Sequence, residues 1–91
     1  MSREKAMLDL MAFIADLIIH YGNLYPELEV LKMKAFNLSY SLQFPNSTQL
    51  YHTSYELARL TVAFCDANKE FCRAHGLEEK VMEVIRKIIG I

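Results

Sequence analysis

Apolar residues recur every three or four positions along most of this chain, and no stretch alternates apolar and polar residues for long. A period near 3.6 residues is typical of helices, whereas strands give a period of two. No Asn-Gly or Asp-Gly pair offers a hairpin turn. The pattern therefore predicts an all-α protein. We expect residues 1–91 to form one compact bundle of four antiparallel helices, or three helices and a short turn.

The first predicted helix, from about Arg3 to Tyr21, is apolar on almost every side. Ser2 precedes it as an N-cap. Asp9 and Asp16 are the only charged residues in the apolar run of residues 6–19. A helix with this pattern is buried on most sides, which is hard to achieve inside one small domain. We therefore expect a homodimer.

The second predicted helix starts at Pro26 and ends at Pro45 and Asn46. Its leucine-rich seam has spacings of 3, 4, 3 and 4, the pattern of coiled coils. The seam consists of Leu28, Leu31, Ala35, Leu38 and Leu42, and Val30, Met33, Tyr40 and Phe44 are expected to widen it to one side. We expect it to be buried and to favour a dimer, so Leu38→Asp is expected to unfold the protein or break the dimer.

The third predicted helix has two possible starts. Thr53 and Glu56 form a capping-box pattern, and we prefer this start. A start at Ser47 or Thr48 is the alternative, and it gives a longer helix. In both cases the helix ends at Gly76, where a left-handed residue is expected.

The fourth predicted helix covers about Glu78 to Ile89. Acidic residues open it and basic residues close it, in agreement with the helix dipole. Its apolar stripe is expected to face the core and consists of Leu77, Val81, Val84, Ile85 and Ile88.

Charge and cysteine content narrow the function classes. The 91 residues include ten basic and eleven acidic ones, with a formal net charge of −1 and no basic block, which disfavours nucleic-acid binding. Cys65 and Cys72 are seven residues apart. On one helix they would be separated by about 10.5 Å along the axis, beyond the Cα distance of about 7 Å that a disulfide allows. They are therefore interpreted as buried thiols of a cytoplasmic protein.

Two residue pairs have the spacing of metal ligands. Asp16 and His20 are four residues apart, and Cys72 and His75 are three apart. A structural zinc site needs four ligands, and neither pair has an obvious complement. We therefore expect no metal and no cofactor, and a metal- or ligand-binding bundle is the alternative function.

The strongest candidate for recognition is an uncharged aromatic segment. Tyr51, His52 and Tyr55 follow one another closely, and Tyr40 is a further candidate elsewhere in the chain. Tyrosine is enriched at protein interfaces because it is large, stiff and amphipathic. We predict that these four residues bind a partner.

No catalytic motif is present, so we expect a protein-interaction module and not an enzyme. An inhibitor, immunity-type or regulatory factor fits this description. In size and helix content the chain is similar to bacteriocin immunity proteins and small phage-encoded inhibitors, without a shared motif. A third hypothesis is that the first helix docks into a larger complex or onto a membrane surface.

Overall fold

The computed structural model describes residues 2–44 and 47–90, which form five helices and no strand. The all-α prediction is therefore confirmed. The count of four helices is not confirmed, because the third predicted helix is divided at Asn68. The helices are α1 (Arg3–Tyr21), α2 (Glu27–Ser41), α3 (Ser47–Ala67), α4 (Lys69–His75) and α5 (Leu77–Ile89).

The four longer helices surround one core. Helix α1 contacts α2 and α5, and α3 contacts the same two helices from the other side. The short α4 contacts α3 and α5. The radius of gyration is 12.5 Å. The largest fully buried side chains are Met7, Leu10, Ile14, Leu28, Leu31, Leu38, Leu57, Thr61, Leu77, Val81, Val84 and Ile88.

Helix α1 has the predicted bounds. The hydroxyl of Ser2 accepts a hydrogen bond of 3.1 Å from the amide of Lys5, as expected for an N-cap. One face of α1 is buried, but the opposite face leaves Leu8 60% and Ile19 78% exposed. The expected surplus of exposed apolar surface on α1 is therefore present in the structure.

Among the described residues, none of the helices has the length and hydropathy needed to cross a membrane.

Helix α2 places its seam inside the chain's own core. Leu28, Leu31, Ala35 and Leu38 are all at most 1% exposed, and Leu42, just past the end of the helix, is partly buried. The inference that this seam favours a dimer is therefore wrong, because α1 and α3 already cover it. The helix ends at Ser41. The predicted stop at Pro45 and Asn46 lies outside the described residues.

Helix α3 begins at Ser47, so the preferred start at Thr53 is wrong and the alternative is nearer. The hydroxyl of Thr53 is directed at the preceding turn, 3.0 Å from the carbonyl of Gln49 and 3.1 Å from that of Leu50. A threonine inside a helix bonds in this way when its hydroxyl is buried. The capping-box pattern of Thr53 and Glu56 therefore lies inside the helix and does not mark its start.

A break at Asn68 divides the third predicted helix. Its φ of −136° and ψ of 58° are not helical, and its side-chain amide donates to the carbonyl of Phe64 at 3.0 Å. The break folds the chain so that the Cα atoms of Cys65 and Cys72 are 5.5 Å apart, and these residues form a disulfide. The predicted continuous helix with free thiols is therefore wrong.

Helix α5 follows the prediction closely. Gly76 adopts the left-handed conformation, with φ of 64°, and its amide donates to the carbonyl of Cys72. Glycine reaches this conformation without the steric cost of a Cβ atom. The complete predicted stripe of α5 is buried.

Candidate functional site

A half-open groove runs between the end of α2 and the start of α3. We call it the α2–α3 groove, and its volume is about 720 Å³. This volume falls in the range of small-molecule and recognition pockets, roughly 300–1,000 Å³. Its lining combines charged, amide and aromatic side chains and consists of Lys34, Asn37, Tyr40, Ser41, Phe44, Gln49, His52, Thr53 and Glu56.

Small polar residues form the base of this groove. Ser41 and Thr53 are both buried, and their hydroxyl oxygens are 3.3 Å apart across the two helices. The Ser41 hydroxyl also donates to the carbonyl of Leu38 at 2.7 Å. Because these side chains are short, they join α2 to α3 without filling the space above them.

Aromatic rings form the α2 side of the groove. Tyr40 and Phe44 are one helical turn apart, with ring centroids 5.1 Å apart in an edge-to-face arrangement. Their side chains are 54% and 48% exposed. A rigid pair of rings presents a large apolar surface that loses little side-chain entropy on binding.

The structure brings together part of the predicted partner-binding set. Tyr40 and His52 line the groove from opposite helices. Tyr51 and Tyr55 are 53% and 64% exposed but are not among the lining residues. They lie on α3 outside the groove lining, so the structure brings Tyr40 and His52 together at the groove and does not bring Tyr51 and Tyr55 to it.

Sequence reasoning did not identify Lys34, Asn37 and Phe44 as lining residues. The apolar residues beside the α2 seam were interpreted as an extension of the buried face. In the structure Met33 and Phe44 are 62% and 48% exposed. Their positions relative to the seam are the sequence signal that could have revealed this exposure. A helix turns about 100° per residue, which places Met33 and Phe44 near the side opposite the leucine seam.

Some charged groups at the groove form an ion pair and others do not. Arg59 donates to a Glu56 carboxylate oxygen at 2.9 Å. This hydrogen bond lowers the pKa of Glu56, and desolvation acts in the opposite direction. The charges of Lys34 and His52 lower that pKa further. Lys34 forms no ion pair within residues 2–44 and 47–90, so its ammonium group is available to an acidic group of a partner.

The first candidate metal pair lies on the surface of α1. His20 Nδ1 is 2.9 Å from the backbone carbonyl oxygen of Asp16 and 3.8 Å from its carboxylate. Both side chains are more than 60% exposed. In the described part of the chain, no group of three or more histidine, cysteine or acidic side chains is placed to hold a metal ion.

The residues of the second candidate metal pair, Cys72 and His75, are each engaged in other interactions. Cys72 is bound to Cys65 in the disulfide, so its sulfur is not a free thiolate. The His75 ring contacts Tyr21 and Phe71, with centroids 4.9 and 4.7 Å away. This histidine therefore belongs to an aromatic cluster at one end of the bundle.

Comparison with known proteins gives no relationship. No family model matches the chain. Neither a curated protein nor a solved structure shows a significant match. The functional argument therefore depends on the residues of this chain alone.

Proposed function

We propose that this protein is an interaction module that docks on another protein, as an inhibitor, immunity-type or regulatory factor. The observation that supports the proposal is the α2–α3 groove, bordered by exposed aromatic rings on a bundle whose core is complete without them. Aromatic residues are enriched at protein interfaces and carry a large share of binding energy there. This is a binding role without catalysis.

The shape of the groove favours an extended partner segment. A small molecule in a specific pocket usually has 70–90% of its surface buried. The α2–α3 groove is half open, so it would leave much of a small molecule in water. A peptide segment or a helix of a partner would occupy such an open groove and extend beyond its ends.

The charges of the groove indicate the chemistry of that segment. Glu56 is paired with Arg59, whereas Lys34 is left without an acidic partner among the described residues. Complementary charge raises association rates and excludes wrong partners. We therefore propose a partner segment that carries acidic side chains beside apolar ones.

A peptide-display experiment tests this proposal. The disulfide-bonded protein is screened against a library of random twelve-residue peptides, and we expect selected peptides to combine Asp or Glu with Phe or Leu. Lys34→Glu is expected to weaken the best peptide at least tenfold, about 1.4 kcal/mol. Tyr40→Ala is expected to weaken it as well, because the ring is exposed and its loss spares the core.

Lys80→Glu is the matched control, because Lys80 is also half-buried but lies on α5. The proposal is contradicted by selected peptides without acidic residues. It is also contradicted if Lys34→Glu and Lys80→Glu weaken binding equally, since binding would then respond to total charge alone.

The alternative function is a small-ligand- or metal-binding bundle. A small ligand would use the volume of the same groove, and a metal ion would have two exposed ligands in Asp16 and His20.

A cytoplasmic location stays a prediction, and the Cys65–Cys72 disulfide favours an oxidising compartment instead. The homodimer that the sequence predicts also stays a prediction. Docking in the α2–α3 groove leaves the α1 side of α2 available for it.

A further inference from the structure

One of the three histidines lines the α2–α3 groove, and its ring is not engaged elsewhere. His20 Nδ1 is 2.9 Å from the backbone carbonyl oxygen of Asp16, and the ring of His75 packs against two aromatic rings. His52 is exposed and makes no hydrogen bond, ion pair or ring contact within residues 2–44 and 47–90. Both ring nitrogens of His52 are therefore available to a bound molecule.

The charged and titratable groups around His52 belong to two helices. Lys34 and Tyr40 line the groove from α2, and Glu56 follows His52 by one turn on α3. None of the described residues of α1, α4 or α5 lines the groove. The hydrogen bond from Arg59 lowers the pKa of Glu56, and the charges of Lys34 and His52 lower it further. Lys34 and His52 therefore act on the same carboxylate from opposite helices.

The charge of this groove depends on pH through its histidine. Histidine side chains change charge between about pH 5 and 8, whereas glutamate, tyrosine and lysine ordinarily do so outside this range. The lowered pKa of Glu56 keeps its carboxylate charged, and Arg59 holds it at 2.9 Å. A fall from pH 7.5 to 5.5 therefore adds the positive charge of His52 to the groove and leaves the charge of Glu56 in place.

We propose that His52 is a second acid-binding residue of the α2–α3 groove, beside Lys34, and that the groove binds an acidic partner segment more tightly as the pH falls. This inference rests on the proposed docking function. A protonated histidine donates from both ring nitrogens, and its hydrogen bonds to carboxylates are strengthened by charge. Because Lys34 lies on α2 and His52 on α3, a segment with two acidic side chains contacts both helices.

The exposure of His52 sets the size of the expected effect. An exposed pair of opposite charges changes an equilibrium by roughly 1.4- to 5-fold. Salt screens such a pair, so the effect is largest at low ionic strength. We expect binding at pH 5.5 to be about threefold tighter than at pH 7.5 in low salt.

Isothermal titration calorimetry of the disulfide-bonded protein at pH 7.5 and 5.5 tests the proposal. The probe is a twelve-residue peptide of alternating aspartate and phenylalanine, because aspartate stays charged at both pH values. The wild type is expected to bind this peptide about threefold more tightly at pH 5.5. His52→Gln is expected to bind it equally at both pH values. His52→Lys is also expected to lose the pH response, because a lysine carries its charge throughout this range.

His20→Gln is the matched control, because His20 is an exposed histidine on α1, outside the groove. This variant is expected to keep the pH response of the wild type. The matched peptide, in which asparagine replaces each aspartate, is expected to show no pH response. Since His20 and His52 are both exposed, circular dichroism is expected to show unchanged helix content in the variants.

Equal wild-type affinities at the two pH values overturn the proposal and leave the docking function standing. A pH response that persists in His52→Gln, or that the asparagine peptide shares, also overturns it, because the response then comes from another group. Absence of wild-type binding at both pH values overturns the proposal and the docking of an acidic segment together.

Discussion

The Leu38→Asp variant is expected to be largely unfolded at 25 °C, whatever its concentration. Leu38 is 0% exposed within a single chain and lies among the α2 seam residues. An unpaired carboxylate at such a site costs several kcal/mol, and loss of the leucine side chain adds about 2–5 kcal/mol. The total approaches or exceeds the roughly 5–15 kcal/mol that stabilises a small domain. Circular dichroism is expected to show lost helix content.

Leu24→Asp is the control for this experiment. Leu24 is 73% exposed in the turn between α1 and α2, so the same chemical change is expected to alter stability by at most about 0.5 kcal/mol. A folded, monomeric Leu38→Asp protein would contradict the structure. It would mean that the seam is covered by a second copy, as the sequence alone had indicated.

Removal of the disulfide is expected to lower the free energy of unfolding by about 2.5 kcal/mol. Cys65 and Cys72 are seven residues apart, and closure of a loop of this length constrains the unfolded chain by about that amount. Urea unfolding of the oxidised protein is compared with the double variant Cys65→Ala and Cys72→Ala. Alanine is used because both positions are buried and a new hydroxyl would lack a partner.

Dithiothreitol provides the control for the disulfide prediction. It is expected to lower the urea midpoint of the wild type and to leave that of the double variant unchanged. Equal midpoints for the wild type with and without reductant would contradict the prediction. Thiol titration of the denatured protein before reduction is expected to detect no free cysteine.

The periodic parts of the chain were predictable from sequence. Helix α1 has the predicted bounds because its apolar period and the Ser2 cap agree. Helix α5 has the predicted stripe because acidic and basic ends, Gly76 and the apolar spacing all indicate the same helix. Local signals suffice where each of them favours one structure.

The break at Asn68 was not predictable from the same signals. The apolar pattern continues through this position, and neither glycine nor proline marks it. Its side chain bonds the carbonyl of Phe64, a local competition with the helix that asparagine makes in some contexts and not in others. The error spread to the cysteines, because their pairing depends on the bend.

The groove was predicted only in part. The reason is that an exposed face of α2 was assigned to the buried side of the helix. Tyr40 was expected to bind a partner, yet it was also counted with the residues that widen the buried seam. Spacings of three and four residues occur on both sides of α2, since Met33, Phe36, Tyr40 and Phe44 follow one another in that way. Tertiary contacts decide which stripe is buried, and α1 and α3 cover the leucine side.

The central claim is that the α2–α3 groove is the docking surface. It is tested most directly by ¹⁵N–¹H correlation spectra of the protein, recorded during titration with a twelve-residue peptide of alternating acidic and apolar residues. The account predicts shift changes concentrated at Lys34, Tyr40, His52 and Glu56, and none with the matched peptide in which lysine replaces each acid. Changes confined to residues outside this groove, or equal changes with both peptides, would contradict it.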